Sequence, residues 1–488
     1  MEWMGPAMFA SLIILLLIGY PVAFTLGGIS MLWIGIGQLI GAPGVEWIAL
    51  ESMQFRVFGI IQNQNLLAIP FFTLMGTILD KSGLAEDMLE TIGMLFGRTR
   101  GGIAYAVILV GAILGAITGV VAASVVSMAL ISIPIMLKYG YNKRLITGTI
   151  AASATLTQVI PPSLVLIVLA DALRIGYPEV SVGDMYKGAF IPGFMLTGLY
   201  MLYVLALTIW RPADVPALPP EAIKYKGMAL FNKTMVSAVP PIALIFVVLG
   251  TTFMGIATPT EGGAMGVVGA IILTMWKKTF NMKMLIGAVE GATRITALVC
   301  FILLGSNAFN LVFELVGGAE WLEGFFKNLP GGVVGFMIVA NLACFFLAFF
   351  LEFFEISFIV IPLLAPVAYS LGIDAVWFGV MISVNMQTSF MHPPFGFALF
   401  FLRGCAPPEI SSNDIYIGAI PYVFLQIIGT AIVATFPILT STVVFDWAFG
   451  TVPGWLTSIS IAFGFIAAVV FASRIGDWRM ARATKNAG

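Results

Sequence analysis

The chain has 488 residues, of which 60% are hydrophobic and only 10% charged, with a formal net charge of −1. An ordinary soluble domain carries about 25% charged residues, so water is excluded as the solvent for most of this surface. The balanced charge and the lack of a polybasic run exclude a long-range field for nucleic acid and peripheral attachment to an anionic membrane face.

In chain order, Met1 to Pro6 carry no Lys or Arg ahead of an apolar stretch from Ala7 to Ile18, which therefore lacks the basic start of a secretory signal and reads as a retained span. Further apolar segments fall near 20–40, 57–79, 101–117, 119–137, 145–170, 188–210, 236–256, 262–276, 287–315, 333–350, 352–370, 376–402, 416–441 and 454–474. A helix of about 20 residues crosses a bilayer and satisfies its own backbone there, so the lipid bilayer is the expected surrounding. Basic residues gather at Arg98/Arg100, Lys138/Lys143/Arg144, Arg211 to Lys233, Lys277/Lys278/Lys283 and Arg474 to Lys485, which the positive-inside rule makes cytoplasmic. Loops holding Glu46/Glu51, Asp171/Glu179/Asp184 and Glu320/Glu323 fall outside, and the N-terminus with them. Cys300, Cys344 and Cys405 show no paired ligand spacing and read as three buried free thiols.

Arg100 and Lys138 fall on one side although the stretch between them is interrupted by Gly111, Gly115 and Gly119. A re-entrant hairpin or two short full spans satisfies those charges. The same geometry recurs near 333–370, from Pro330-Gly331-Gly332 to Gly372-Ile373-Asp374, facing the opposite way. Self-similarity agrees: Ile133-Pro134 recurs as Ile361-Pro362, Pro161-Pro162 as Pro393-Pro394, and Gly188-Ala189-Phe190-Ile191-Pro192 as Gly418-Ala419-Ile420-Pro421, at an offset of about 230 residues. Three ordered matches at one offset point to duplication, with inverted halves implied by the topology. The expected divisions are N-terminal helices over 1–80, a first repeat over 81–210, a linker over 211–235, further helices over 236–286, a second repeat over 287–441, and an extra helix with a basic tail over 442–488.

Pro-Pro inside an apolar segment means that the helix breaks where protein or water can satisfy its backbone. The first break falls in Thr155-Leu156-Thr157-Gln158-Val159-Ile160-Pro161-Pro162-Ser163, and the second in Asn385-Met386-Gln387-Thr388-Ser389-Phe390-Met391-His392-Pro393-Pro394. Hydroxyls and freed carbonyls there could coordinate a small cation, while a half-helix N-terminus could face an anion. A simple proline kink with Ser and Thr bonding back to the helix is the rival reading. Each break is preceded by a hairpin, with turns expected from Gly115 through Ser124 and from Leu351 through Ser357. Glu352 and Glu355 either face a polar cavity or cap the second turn. Glu261, in Thr258-Pro259-Thr260-Glu261, reads as the first-turn acid of a helix. His392, the only histidine, could titrate near neutrality or merely donate a hydrogen bond. No HExxH, phosphate loop or Gly-x-Ser-x-Gly elbow occurs in the chain, which argues against metalloprotease, ATPase and serine-hydrolase chemistry.

These residues resemble the large membrane (permease, DctM-like) subunit of tripartite ATP-independent periplasmic (TRAP) transporters, within the ion transporter superfamily. The likeness runs from about residue 10 to about 440 and is carried by Ile69-Pro70-Phe71-Phe72 with Ser82-Gly83-Leu84, Gly115 to Ser124, Ile160-Pro161-Pro162-Ser163, Thr258-Pro259-Thr260-Glu261 and Pro393-Pro394-Phe395-Gly396. It implies an all-α polytopic fold of two inverted repeats with re-entrant hairpins and broken helices, arranged as an elevator-type scaffold plus transport domain in a bacterial inner membrane. It implies sodium-coupled uptake of a small organic anion, no cofactor beyond sodium ions, an extracytoplasmic (periplasmic) substrate-binding protein, and a small four-helix membrane subunit. Carried over by position, sodium-site roles fall on Thr118, Gly119, Thr157, Pro161 and Ser163 and on Asn385, Thr388, Ser389 and Pro393. Solute contacts fall on Ser124, Gln158, Gln387 and His392. The chain departs from the family pattern at Val120, where a small hydroxyl is common, at His392, where Thr is usual, and at Ser389, which replaces a common Gly. A self-sufficient carboxylate symporter is the nearest alternative, with a channel or an intramembrane hydrolase further off.

Overall fold

A computed structural model describes residues 3–487, apart from the side chains of Thr118, residue 449, residue 455 and residues 484–487. The described residues are almost wholly helical and contain no strand. Among the described residues, seven helices are long and apolar enough to cross a membrane, or eight if Met228–Ser237 and Val239–Phe253, bent by 41°, form one span. Large apolar side chains such as Ile14, Phe24, Phe246 and Ile272 stay exposed, as helices facing lipid require.

One order of elements occurs twice. The first unit is a hairpin of Gly102–Thr118 and Val121–Lys138, then a helix broken into Lys143–Thr155 and Leu164–Leu173, then the long helix Val182–Trp210. The second is a hairpin of Gly332–Leu347 and Phe353–Ser370, a helix broken into Ala375–Met391 and Phe397–Cys405, and the long helix Ser412–Thr435. At 1.5 Å per residue the 13-residue half Lys143–Thr155 is about 20 Å long, which brings its break well inside a bilayer core about 30 Å thick.

Both long helices begin with the same device. Ser181 Oγ accepts the Asp184 N–H at 3.1 Å while Asp184 Oδ2 accepts the Ser181 N–H at 3.2 Å, and Ser411 and Asp414 repeat the pair at the same two distances. The Ser-x-x-Asp signature thus recurs at the same offset of about 230 residues, a fourth match that the sequence reading missed.

The units interlock crosswise. Leu164–Leu173 packs on the second hairpin's leg Phe353–Ser370, and Phe397–Cys405 packs on the first hairpin's leg Val121–Lys138. Around them Val22–Leu39, Ala68–Lys81, Pro259–Trp276 and Met282–Leu315 pack on one another. Two short hydrogen bonds join Ala68–Lys81 and its lead-in to the first unit: Asn63 Nδ2 donates to Asp171 Oδ1 at 2.6 Å, and Ser127 Oγ to Asp80 Oδ1 at 2.6 Å.

Four details depart from the sequence reading. The segment 57–79 is two helices, Met53–Gln62 and Ala68–Lys81, because Asn63 Oδ1 accepts the Asn65 N–H at 3.0 Å and closes a turn in place of the helix ladder. The linker 211–235 already contains the start of Met228–Ser237. The division 442–488 is two helices, Thr442–Gly450 and Val452–Ala487, and the second runs on through the basic tail without a break. Cys300 lies on an exposed face of Met282–Leu315, so only Cys344 of the three thiols is fully buried.

Candidate functional site

Both double prolines interrupt their helices, and both Pro161-Pro162 and Pro393-Pro394 are cis. In the first unit Leu156–Gln158 tightens into a 3-10 turn after Thr155, and the chain restarts as a helix only at Leu164. Ser163 is the N-cap of that second half: its Oγ accepts the Val165 N–H at 3.2 Å and donates to the Gln158 carbonyl at 3.2 Å. Thr157 Oγ1 returns to the Ala154 carbonyl at 2.9 Å. Every residue from Thr155 to Ser163 is buried.

The first hairpin lies directly on this break, and glycine permits the approach. A Cβ on Gly115 would stand 2.9 Å from the Thr157 backbone nitrogen, so only Gly lets the two backbones touch. Gly119 ends the first leg with φ +64 and its N–H on the Gly115 carbonyl at 3.2 Å, facing Leu164. The Thr118 side chain lies outside the described residues; Ser124, also expected here, is buried in the second leg.

In the second unit Ala375–Met391 runs unbroken to His392, whose N–H donates to the Ser389 carbonyl at 3.2 Å. Asn385 Nδ2 donates to the Asn341 carbonyl at 2.7 Å, tying the broken helix to the first leg of its own hairpin. The His392 ring meets Phe345, on that same leg, edge-on at 5.5 Å, and Phe349, in the turn that follows the leg, at 5.4 Å. Beyond it Pro394 and Phe395 are exposed.

The hydrogen-bond accounting separates the expected residues into two groups. Gln158 Nε2 and Oε1, Gln387 Nε2 and Oε1, Thr388 Oγ1 and Ser389 Oγ are buried with no protein partner among the described residues. Such groups cost about 1–3 kcal/mol each when left bare, so they are places where water, an ion or a solute group is expected to bond. Thr157, Ser163 and Asn385 instead spend their side chains on protein carbonyls or amides. Glu355 takes the capping geometry, with Oε2 accepting the Glu352 N–H at 2.7 Å at the start of Phe353–Ser370. Glu261 likewise forms a capping box with Thr258.

Two residues that the sequence reading passed over join the breaks. Ser383 Oγ donates to the Gln158 carbonyl at 2.8 Å, so the second broken helix supplies a hydroxyl to the first break. Gln426 Nε2 lies 3.2 Å from Thr155 Oγ1, 2.9 Å from Tyr200 OH and 3.3 Å from Met391 Sδ. Each is an isolated polar residue in an apolar helix, a signal too common to single out from sequence.

Comparison with known proteins places this arrangement. Residues 9–439 match the family described as "Tripartite ATP-independent periplasmic transporter, DctM component". The chain is 27% identical over 445 residues to the C4-dicarboxylate TRAP transporter large permease protein DctM of Rhodobacter capsulatus, covering 88% of this chain and 97% of that one. It is 25% identical over 429 residues to the sialic acid TRAP transporter large permease protein SiaM of Vibrio cholerae, covering 87% and 95%. Among solved structures, the YdaH transporter of Alcanivorax borkumensis shares the fold, with a TM-score of 0.57 at 16% identity, over 81% of this chain and 88% of that one. With two broken helices set beside two hairpins and a family match spanning nearly the whole helical body, the chain belongs to the DctM family of TRAP transporter large permease subunits.

Proposed function

We propose that this subunit couples the entry of sodium ions to the uptake of a small organic anion across the bacterial inner membrane, with its N-terminus on the outer side. The observation that carries this reading is the pair of equivalent helix breaks, each touched by the first leg of its own hairpin and lined by buried hydroxyl, amide and carbonyl oxygens. Oxygen donors of this kind suit a hard monovalent cation, and they supply it without a carboxylate. Thr388 Oγ1 and Ser389 Oγ fit because they are buried and need a partner; around Gly119, Thr157 and Pro161 the ligands would be main-chain oxygens. Gln158, Gln387 and His392 are left for the solute, with Ser124 nearby on the hairpin.

The solute is read as a carboxylate because the relatives are named for a C4-dicarboxylate and a sialic acid. The two units would be inverted halves of a moving body that slides past the flanking helices in an elevator-type displacement. A periplasmic binding protein would deliver the solute, and a small four-helix membrane subunit would complete the flanking layer. The test is uptake of candidate organic acids into proteoliposomes holding the large subunit, its small subunit and the binding protein. Accumulation is expected only with an inward sodium gradient, and it should stop when the binding protein is left out. Undiminished accumulation with no sodium or other ion gradient would contradict the coupling.

A further inference from the structure

The two broken helices end against the same side chain. Thr155 is the last residue of Lys143–Thr155, Met391 is the last residue of Ala375–Met391, and Gln426 Nε2 reaches both, at 3.2 Å and 3.3 Å. Its third acceptor, Tyr200 OH at 2.9 Å, belongs to the long helix of the first unit, while Gln426 belongs to that of the second. Gln426 is fully buried, and its amide has two hydrogens for three acceptors, so they are shared among groups from three other helices.

Neighbouring contacts hold this side chain in place. Tyr200 packs edge-on against Tyr422 with ring centres 5.4 Å apart, and the Tyr422 hydroxyl bonds Thr149 Oγ1 at 2.6 Å, one more tie to the first broken helix. The duplication does not repeat the arrangement. Aligning Pro192 with Pro421 places Thr197 opposite Gln426, and the Thr197 hydroxyl bonds within its own helix, to the Gly193 carbonyl at 2.9 Å. A residue that only filled space in an apolar helix would need no amide, and an amide in a dry interior is unfavourable unless its partners are fixed.

We propose that Gln426 is a positioning residue for both breaks at once: a single amide that ties the ends of the two broken helices together and sets the spacing between them. Its role rests on Nε2, which is spent on protein acceptors; its Oε1 is buried with no protein partner among the described residues and is left for a water. Its effect is to make the two breaks move and order as one unit, so that occupation of one is felt at the other. The sodium arm of the test rests on the function proposed above; the exchange arm does not.

Hydrogen exchange, followed by mass spectrometry on the assembled transporter in nanodiscs, compares residues 153–160 and 387–396 with Pro259–Trp276 as the reference. Gln426→Met, which keeps the bulk and removes the amide, is expected to lower protection about five- to tenfold at both breaks together, the worth of one buried hydrogen bond, and to leave the reference unchanged. Tyr200→Phe, which removes one of the three acceptors, should give a smaller loss at the same two places, and it carries the comparison together with Thr155→Val if Gln426→Met fails to assemble. In sodium-driven uptake the half-saturating sodium concentration should rise by a similar factor, with the maximal rate within about twofold. Faster exchange at one break alone, uniformly along the chain, or at neither break would overturn the proposal. Coordinated loosening in a transporter whose uptake ignores sodium would support Gln426 as the tie and sink the coupling instead.

Discussion

The first break and the second break share one plan and differ in how they are finished. Around Pro161-Pro162 every residue is buried, the Gln158 carbonyl accepts two hydroxyls, from Ser163 and Ser383, and the hairpin backbone presses on Thr157 through Gly115. Around Pro393-Pro394 the chain opens: Pro394 and Phe395 are exposed, His392 is held by aromatic rings, and Thr388 and Ser389 keep buried hydroxyls without protein partners among the described residues. A break closed by protein hydrogen bonds is a fixed wall, whereas one with unspent hydroxyls has coordination left to give. The first break therefore reads as the more rigid wall, with main-chain oxygens and the unspent Gln158 amide to offer, and the second as the place where side-chain hydroxyls complete the bonding of an arriving ion or solute.

The comparison can be broken most forcefully at the wall. Gly115→Val puts side-chain atoms where the Thr157 backbone now lies, and overpacking of this kind costs about 1–3 kcal/mol or displaces the break outright. Sodium-driven uptake should fall by more than tenfold, while Gly198→Val, at a position with open space, should leave it within about twofold. Equal loss in both variants would show that helix propensity rather than the close approach is responsible.

A smaller effect separates the two sets of hydroxyls. Thr388→Val is expected to raise the half-saturating sodium concentration about tenfold with little change in thermal stability in the absence of sodium, because no protein hydrogen bond is lost. Ser163→Ala removes an N-cap and should lower stability by about 1 kcal/mol. If Thr388→Val instead stabilises the protein and leaves sodium dependence untouched, its hydroxyl is an unused buried group.

At the open break His392→Thr should keep uptake within about twofold of the unaltered protein, since the ring is held by Phe345 and Phe349 and not by a polar partner. Total loss at normal expression would make the imidazole essential. The least effect is expected far from both breaks: Lys224 and Glu90 form a surface pair at 2.7 Å, and the Glu90 carboxylate holds the Lys224 ammonium above its ordinary range. Lys224→Ala should change neither uptake nor melting temperature, as exposed pairs contribute little.

How much of this was legible without coordinates follows from which physics is local. A double proline within an apolar run interrupts a helix whatever surrounds it, so both breaks could be placed to the residue. Arg100 and Lys138 flanking Gly111, Gly115 and Gly119 pointed to the first hairpin, with two short spans left open, and the second was read from its Pro330-Gly331-Gly332 start and Gly372-Ile373-Asp374 end. The split of 57–79 was missed because Asn63, Gln64 and Asn65 are too few to interrupt the hydropathy, although an Asn side chain that bonds backbone two residues on ends a helix. The two Ser-x-x-Asp caps were readable and overlooked. Ser383 and Gln426 were not readable, because their importance lies in partners more than 200 residues away. For Glu352 and Glu355 the sequence left two roles open, and the capping geometry at Glu352 depends on a turn that only the folded hairpin shows.

The central claim is that the two breaks hold the coupling ion, and density at those positions tests it most directly. Cryo-electron microscopy of the assembled transporter, prepared once in sodium and once in a bulky organic cation, should show in sodium alone a peak beside the Thr388 and Ser389 hydroxyls and another beside Gly119 and Thr157. Identical maps in the two preparations, with both breaks empty in saturating sodium, would contradict the account.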